Sequence, residues 1–318
     1  MRKYQSKSRS PDHISKNFRT INQPQVDAIR SALQRNYFTG FPSEYLSTAW
    51  GRNDLQNHLF GRLESDRGTI IPWLDRARPL LNSSVLEIGC GTGCSTVALA
   101  EQGARVTAID VDIDSLAVAS ERCRAYDLNV NIVRANATEV HKLFSDEHFD
   151  FIIFYASLEH MTIKERLSCM RETWGMLSAA DLWCVIETPN RLWYYDSHTS
   201  LLPFYLWLPD ELAFEYSRFS PRYNFRELYR ERTDESELHF LRRGRGVSYH
   251  EFELAMKPIK ELKVISSLSM FAKKQGILQR VRDRFSSKSR YISLLRNIAP
   301  QLHEGFYQEY LYMIIEKD

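Results

Sequence analysis

Short apolar segments alternate with helical segments from residue 82 to residue 188, and this alternation constrains the fold more than any other feature. The segments predicted as strands are VLEI (85–88), RVTAID (105–110), NVNIVRA (129–135), FDFIIFYA (149–156) and LWCVIET (182–188). Those predicted as helices are CSTVALAEQG (94–103), DSLAVASERCRAYDL (114–128) and MTIKERLSCMRETWGML (161–177). Strands separated by helices of about a dozen residues form parallel sheets covered on both faces. The sequence therefore predicts an α/β, doubly wound, mostly parallel sheet.

Two segments precede this alternation. Residues 1–20 are basic and serine-rich with few apolar side chains, so we predict a disordered tail. Residues 21–81 show helical periodicity and form a predicted N-terminal helical cover. The cover either packs on the sheet edge or lies over a ligand. In the second case an arginine such as Arg52, Arg62 or Arg67 would meet an anionic group of that ligand.

Residues 189–247 interrupt the alternation after the fifth strand and are rich in Trp, Tyr, Phe and Arg. Long insertions in α/β enzymes commonly act as lids, so we predict a lid that binds the substrate. Part of its aromatic set is expected to wall the substrate pocket, and the rest to form its core. The set is Trp193, Phe204, Tyr205, Trp207, Phe214 and Tyr216.

Residues 248–318 resume the alternation. Ser248 and Glu251 predict a capping box at the start of a helix. KVISSLSM (263–270) and YLYMIIEK (310–317) then predict two further strands, which complete a sheet of seven. A basic helical insertion lies between them, at about 272–300. Its residues 273–296 are amphipathic and fit a membrane-surface helix, a partner helix or, as we favour, a solvated face.

Composition excludes several classes of protein. The chain of 318 residues has 43% hydrophobic and 26% charged residues, which is typical of a soluble globular protein. A net charge of +2 gives no reason to expect nucleic-acid binding. The five cysteines form neither a disulfide framework nor a CxxC zinc pattern, so no metal site is predicted, and free thiols favour a cytoplasmic location. Whether the chain forms a homodimer is left open.

The turn after the first strand, in VLEIGCGTG, carries Gly89, Gly91 and Gly93. Glycines at such a turn allow the backbone to approach a ligand without a Cβ clash. A dinucleotide site would have its third glycine at position 94, which is Cys94. Glu87 precedes the turn and favours a cationic group over a pyrophosphate. We expect Glu87 to lie close to that group or to orient the loop that holds it.

Asp110 ends the second strand, 17 residues after Gly93. A strand–turn–helix–strand path returns it to the same crevice, where a carboxylate can accept hydrogen bonds from both hydroxyls of a ribose. An adenosine with a free ribose and a cationic amino-acid tail would satisfy both Glu87 and Asp110.

EIGCGTG followed by VTAID resembles the class I methyltransferases that depend on S-adenosylmethionine (SAM). The resemblance covers roughly residues 82–188 and returns in the last strands. It implies SAM as the cofactor and an antiparallel seventh strand. IVRANATEV resembles the loop that meets adenine, and FDFIIFYASLEHM the turn beside the methyl-transfer site. The cofactor contacts that it implies are Glu87, Gly89, Cys90, Gly91, Gly93, Asp110, Val111, Asn136, Ala137 and Tyr155.

Two stretches carry candidate catalytic residues. His160 follows the fourth strand, where it is either a general base or part of a structural turn. Tyr195, Asp196 and His198 lie close together after the fifth strand. An Asp two residues from a His can orient the imidazole and raise its pKa. Asp196 and His198 otherwise only fix the loop.

The loop TPNRLWYYDSHTSLLPFYLWLP (188–209) resembles one found in bacterial methyltransferases of glycan and secondary-metabolite pathways. The predicted function is methyl transfer from SAM to a small-molecule or glycan-like acceptor. Oxygen is slightly favoured as the acceptor atom because Asp196 and His198 offer a base. Sulfur or nitrogen acceptors remain alternatives, as does a non-catalytic SAM-fold protein that binds a partner.

Overall fold

A computed structural model describes residues 17–275 and 287–318. Its seven strands form one sheet in the order β3-β2-β1-β4-β5-β7-β6. Strands β1 to β5 pair in parallel, and β7 runs antiparallel to β5 and β6. This confirms the predicted mostly parallel sheet with an antiparallel last strand. The strands are β1 Ser84–Ile88, β2 Arg105–Asp110, β3 Asn131–Arg134, β4 Phe151–Tyr155, β5 Leu182–Pro189, β6 Val264–Ser267 and β7 Tyr310–Glu316.

Helices cover both faces of the sheet. Successive residues of β1 show how: Val85 packs into one buried cluster and Leu86 into the other, because side chains alternate between the faces of a strand. The helices are α1 Gln23–Arg35, α2 Ala49–Gln56, α3 Arg62–Ser65, α4 Ile71–Ala77, α5 Cys94–Ala100, α6 Ile113–Ala125, α7 Val140–Leu143, α8 Ile163–Met176, α9 Asp210–Tyr216, α10 Tyr223–Leu228, α11 Asp234–Arg242, α12 Tyr249–Ala255, α13 Leu268–Gln275 and α14 Ser287–Ile298.

The N-terminal helices pack on the face that carries α5 and α6. α1 starts with a capping box between Asn22 and Gln25. The helical run from α2 to α4 is broken by two π-helical turns, Asn57–Gly61 and Asp66–Ile70. Such turns are rare and occur frequently at functional sites. Residues of both turns reach the carboxyl ends of the central strands.

The segment 189–247 begins and ends at one point, because Asn190 pairs with Val247 in an isolated bridge. It contains α9, α10 and α11 and has a small buried cluster of its own, formed by Leu202, Tyr205, Leu206, Ala213, Phe214, Phe225, Tyr229 and Phe240. It therefore forms a subdomain attached at the carboxyl end of β5.

The C-terminal part differs from the prediction in one detail. β6 ends at Ser267, so the predicted strand 263–270 is too long, and α13 begins at Leu268. The predicted tail lies largely outside the described residues, as do residues 276–286 of the basic insertion. The described remainder of that insertion is helical, and the Tyr291 hydroxyl of α14 donates to the Leu192 carbonyl oxygen at 2.7 Å. Within the described ranges, no helix combines the length and apolar character needed to cross a bilayer.

Candidate functional site

A cavity of about 820 Å³ opens at the carboxyl ends of β1, β2, β4 and β5. Open α/β sheets bind their ligands there, where the strand order reverses. The cavity is lined by the glycine turn after β1 and the end of β2. It is also lined by the turn after β4, the end of β5 and the segment 189–247. The helical cover contributes residues of its two π-helical turns.

The glycine turn needs glycine at two positions for different reasons. Gly89 has φ +87°, and a Cβ there would lie 2.6 Å from the Ser157 Cβ. Gly91 has φ +49°, and a Cβ there would meet no protein atom within 4 Å. Gly91 lines the cavity, so that open space is available to a ligand lying against the backbone.

Asp110 lies at the cavity end of β2, as predicted. Its Oδ2 accepts a hydrogen bond from the Gly91 N–H at 2.9 Å, and its Oδ1 accepts one from the Asp112 N–H at 3.0 Å. Each carboxylate oxygen can accept a further hydrogen bond. Asp110 therefore fixes the glycine turn and still has acceptor capacity for a ligand hydroxyl.

Glu87 does not reach the cavity, which corrects its predicted contact with the ligand. It is fully buried and accepts hydrogen bonds from the Ser95 and Thr96 hydroxyls of α5, the latter at 2.6 Å. Burial raises the pKa of Glu87 to about 7, and the two hydroxyls lower it. Its role is the other one predicted, to fix the loop and the first turn of α5.

The predicted cofactor contact of Gly93 is also wrong, because Gly93 does not line the cavity. It caps α5 with φ +79°, and a Cβ there would lie 2.9 Å from Ala119 of α6. Gly93 is therefore needed where two helices pack closely, not where a ligand binds.

The remaining predicted cofactor contacts line the cavity. They are Cys90, Val111, Asn136, Ala137 and Tyr155. Val111 is 58% exposed, an apolar surface that a bound aromatic ring would cover. Burial keeps the pKa of the Cys90 thiol well above its usual range, so the thiol is neutral. The Asn136 Oδ1 is already engaged, since it accepts from the Thr138 N–H at 3.1 Å and from the Thr138 hydroxyl at 3.0 Å.

The helical cover supplies Arg62 and Asp66 to the wall of the cavity. Within the described residues Arg62 has no hydrogen-bond or ion-pair partner, whereas Arg67 pairs with Glu101 at 2.6 Å. Asp66 accepts a hydrogen bond from the Tyr155 hydroxyl. Burial raises the pKa of Asp66 to about 7. Of the three arginines considered, Arg62 is therefore the one available to an anionic group in the cavity.

Glu187 lines the cavity at the end of β5 and was missed by the sequence analysis. It lies beside an irregularity in the β5–β7 pairing and has φ +58°, which is unusual for a residue other than glycine. Burial raises its pKa, and Arg62 lowers it. Strained backbone of this kind clusters at functional sites. A bulge cannot be recognised in the run LWCVIET, so the sequence carries no signal for it.

His160 and His198 both line the cavity and lie beside each other. Their ring centroids are 5.8 Å apart. The His160 Nδ1 donates to the Arg242 carbonyl oxygen at 2.8 Å, and the His198 Nδ1 lies 2.9 Å from the Thr199 Oγ1. Burial, followed by the His160 ring, lowers the pKa of His198 to about 4. His198 is therefore neutral at pH 7.

Asp196 does not orient His198, which corrects the predicted Asp–His pair. Its carboxylate accepts from the backbone N–H groups of His198, Thr199 and Ser200 and from the Ser200 hydroxyl, at 2.6–3.1 Å. Burial outweighs the charge of Asp196, which raises the His198 pKa, so the pKa is lowered overall. Asp196 is buried and fixes the loop through these hydrogen bonds, which is the other role predicted for it.

Tyr195 does not line the cavity either; it is 38% exposed and pairs with Pro203 in an isolated bridge. The aromatic set of the insertion is likewise absent from the cavity wall, contrary to expectation. Tyr205 and Phe214 are core residues of the subdomain, while Phe204 and Trp207 are about half exposed. The residues of this segment that line the cavity are His198 and Arg242.

Comparison with known proteins agrees with this geometry. Residues 85–179 match the family described as methyltransferase domain. The chain is 43% identical over 75 residues to a cypemycin N-terminal methyltransferase from Streptomyces, covering 24% of this chain and 29% of that protein. It is 33% identical over 89 residues to a ubiquinone biosynthesis O-methyltransferase from Serratia proteamaculans, covering 28% and 36%. Residues 85–179 are thus similar in sequence to methyltransferase domains.

These matches leave most of each relative uncovered, since the chain spans about a third of their length. Among solved structures, magnesium protoporphyrin IX methyltransferase from Synechocystis PCC 6803 is 16% identical over 53% of this chain and 68% of that chain, with a TM-score of 0.36. The methyltransferase assignment therefore rests on the domain match, the strand order and the turn after β1.

The cavity of this methyltransferase domain fits its cofactor, SAM. The space beside Gly91 would admit the ligand against bare backbone, and Asp110 has acceptor capacity for the ribose hydroxyls. Val111 and Ala137 offer apolar surface where the adenine would lie. Arg62 is available to the carboxylate of the methionyl tail.

Proposed function

We propose that the protein transfers a methyl group from SAM to a hydroxyl group of a small-molecule or glycan-like acceptor. The observation that carries the proposal is the shape of the cavity. It continues from Gly91 and Asp110 past Tyr155 to Glu187, His160 and His198. Its volume of about 820 Å³ falls in the upper part of the range for small-molecule pockets, about 300–1,000 Å³. A cofactor at the glycine turn thus leaves room at the histidine end for an acceptor.

SAM supplies a methyl group on a sulfonium centre. In the transfer the sulfur–methyl bond breaks, an oxygen–methyl bond forms, and the acceptor hydroxyl gives up its proton. Much of the rate of such an in-line displacement comes from holding the two reactants in line. In this cavity the backbone of the glycine turn and Asp110 would hold one reactant, and the residues at the ends of β4 and β5 the other.

The acceptor proton needs a base at the histidine end. His198 offers a neutral imidazole there, and Glu187 offers a carboxylate whose pKa is raised by burial. A carboxylate with a raised pKa is a common general base. Oxygen is proposed as the acceptor atom because both groups line this end of the cavity; a thioether or tertiary amine would need neither of them.

The test has two stages. Calorimetric titration with S-adenosylhomocysteine (SAH), with NADH as the control ligand, is expected to show micromolar binding of SAH alone. A screen of hydroxyl-bearing acceptors with methyl-labelled SAM then identifies the substrate class. With an acceptor in hand, Glu187→Gln and His198→Gln are compared. The variant that removes the base is expected to lose about 10²–10⁴-fold in kcat while its SAH affinity stays within threefold.

Failure to bind SAH in the folded protein would overturn the proposal. SAH binding with turnover only on sulfur or nitrogen acceptors would overturn the choice of oxygen. The cypemycin and ubiquinone methyltransferases among the relatives give reason to include both amine and hydroxyl acceptors in the screen.

A further inference from the structure

Three side chains converge at the histidine end of the cavity without any role assigned to them together. One carboxylate oxygen of Glu159 and one nitrogen each of His160 and His198 lie within 4.8 Å of one another. The Glu159 Oε1 lies 3.9 Å from the His160 Nε2. Both histidines line the cavity, so this cluster borders the acceptor space.

Glu159 is buried in a way that its protein neighbours do not satisfy. The side chain has no exposed surface, and its Oε2 accepts from the Thr188 hydroxyl at 3.3 Å. Its Oε1 is buried and has no hydrogen-bond partner. Leaving such an oxygen without a hydrogen bond is costly, because a buried acceptor has lost its hydrogen bond to water. A cation between this oxygen and the two imidazoles would supply the missing partner.

Both imidazoles are held so that their second nitrogen is free. The His160 Nδ1 faces the Arg242 carbonyl oxygen, which only accepts, so the proton is on Nδ1. The Thr199 hydroxyl donates to the carbonyl oxygens of Arg243 and Gly244, at 3.2 and 3.1 Å. The His198 Nδ1 must therefore be the donor to the Thr199 Oγ1. In the neutral form of each ring, the proton at Nδ1 leaves the lone pair on Nε2, and hydrogen bonds of this kind position metal-binding histidines.

The backbone beside His198 is adapted to this arrangement. Gly244 has φ +122°, and a Cβ there would lie 2.6 Å from the Thr199 Oγ1 and 3.0 Å from the His198 Nδ1. Only glycine lets the segment after α11 approach the ring and the hydroxyl this closely. The position of the imidazole is thus built into the fold of the subdomain.

We propose that Glu159, His160 and His198 bind a divalent first-row transition-metal ion such as Zn²⁺, Co²⁺ or Mn²⁺. Two imidazoles and one carboxylate are typical ligands of such ions, whereas Mg²⁺ and Ca²⁺ prefer oxygen alone. With bonds of about 2.0–2.2 Å the ligand atoms close to within about 3–3.5 Å of each other. The ligand atoms lie within 4.8 Å of one another, so metal binding requires the His160 ring, which is about 43% exposed, to shift toward Glu159 and His198.

Three protein ligands leave a coordination position open to the cavity. On the function proposed above, which this role presupposes, the open position takes the acceptor hydroxyl and lowers its pKa. His198 then binds the metal, and Glu187 is left to receive the proton. Nearby cations limit the affinity: the Arg222 Nη1 donates to the His198 carbonyl oxygen, and Arg242 pairs with Glu165 at 2.7 Å.

The experiment measures the metal directly. Full-length protein is freed of metal with a chelator and titrated with Co²⁺, Zn²⁺ and Mg²⁺ by calorimetry, with the visible absorption of Co²⁺ as a second readout. One equivalent of Co²⁺ or Zn²⁺ is expected to bind at micromolar concentration, and Mg²⁺ at least about 100-fold more weakly. His160→Gln and His198→Gln are each expected to weaken Co²⁺ binding by more than about 10-fold and to change its absorption band, with SAH affinity within threefold of the parent.

His148→Asn is the matched control, because His148 is also exposed and bonded to one carboxylate, Asp181, at 2.9 Å. It is expected to bind Co²⁺ like the parent. Thr199→Val tests the positioning hydroxyl and is expected to weaken Co²⁺ binding by about 10-fold.

No Co²⁺ or Zn²⁺ binding at 1 mM, or equal binding by the parent and both histidine variants, would overturn the metal site. The proposed function would survive either result if SAH still binds and turnover persists with chelator present. Loss of SAH binding in the parent would instead refute the function and leave the metal titration interpretable by itself.

Discussion

The two ends of the cavity are built differently. At the cofactor end, the turn after β1 and the end of β2 lie side by side, and the surface offered to the ligand is mostly backbone. Gly91 leaves space for the ligand, and the Asp110 carboxylate fixes the turn. At the acceptor end, side chains arrive from the turn after β4, the end of β5 and a subdomain of 59 residues, 189–247. A site made of local backbone accepts little change in sequence. A site made of convergent side chains can be rebuilt for a new substrate while the sheet stays the same.

The largest expected effect is at the cofactor end. Gly89→Val places side-chain atoms against Ser157 and the Tyr155 carbonyl oxygen at a positive φ, so the turn must move. SAH affinity is expected to fall by more than about 100-fold, or more than about 2.7 kcal/mol. Calorimetry measures this. Gly175→Ala is the control, since a Cβ there meets no atom within 4 Å, and equal SAH binding by both variants would show that the turn is not rigid.

The next effect is at the acceptor end and concerns stability. Asp196→Ala leaves three backbone N–H groups and the Ser200 hydroxyl without their buried acceptor. The free energy of unfolding is expected to fall by about 2–4 kcal/mol, read from the midpoint of urea denaturation. SAH affinity should change by less than threefold, because Asp196 does not line the cavity. A catalytic loss without loss of stability would restore the Asp–His pair that the structure excludes.

A smaller effect separates binding from folding at the cofactor end. Asp110→Asn keeps one acceptor oxygen for the Gly91 N–H but loses the charge and the second oxygen, which accepts from the Asp112 N–H and has capacity for the ribose. SAH affinity is expected to fall by about 10–30-fold, with the denaturation midpoint changed little. Calorimetry and urea denaturation are run on the same preparation. If SAH binds Asp110→Asn as tightly as the parent, Asp110 does not hold the ribose.

The smallest effect is a pH dependence at Asp66, between the two ends. Its pKa of about 7 in the folded protein lies above the ordinary value of 3.8, because of burial. The folded protein therefore binds one more proton than the unfolded chain between about pH 4 and 7, so stability falls as pH rises through that window. The Tyr155 hydroxyl, Glu187, Glu87 and Arg62 are the other titratable or charged groups acting on it.

Asp66→Asn removes this contribution to the pH dependence of stability. Over that window the parent is expected to lose up to about 1.4 kcal/mol per pH unit relative to the variant, measured by urea denaturation at several pH values. The exposed Asp146→Asn serves as control and should follow the parent. Parallel curves for the parent and Asp66→Asn would show that Asp66 is ionised in the folded protein at neutral pH.

Prediction from sequence succeeded where chemistry and fold are local. The seven strands and the position of Asp110 at the end of β2 followed from periodicity and from the spacing to the glycines, and the antiparallel last strand followed from the resemblance to class I methyltransferases. It failed for Glu87 and Gly93, which lie in the right motif but face α5 and α6. A motif gives the order of residues along the chain, and the direction of each side chain depends on what packs against it.

The acceptor end shows the same limit more strongly. Asp196 and His198 are two residues apart, yet the carboxylate turns to the loop backbone and the imidazole to the cavity. Glu187 gave no signal, since its position depends on a β-bulge. Glu159 stands in the stretch that follows the fourth strand, but its burial beside Thr188 could not be predicted from the sequence. The predicted absence of a metal site rested on cysteine spacing. It did not consider a cluster whose members come from separate segments.

The sequence by itself determined the sheet, the glycine turn and the carboxylate at the end of β2, because strand periodicity and turn chemistry act over a few residues. Only the tertiary structure decided which side chains face the cavity and which are paired elsewhere. That choice depends on contacts between segments far apart in the chain, such as His198 with Gly244 and Asp66 with Tyr155, where burial and close packing set orientation and charge.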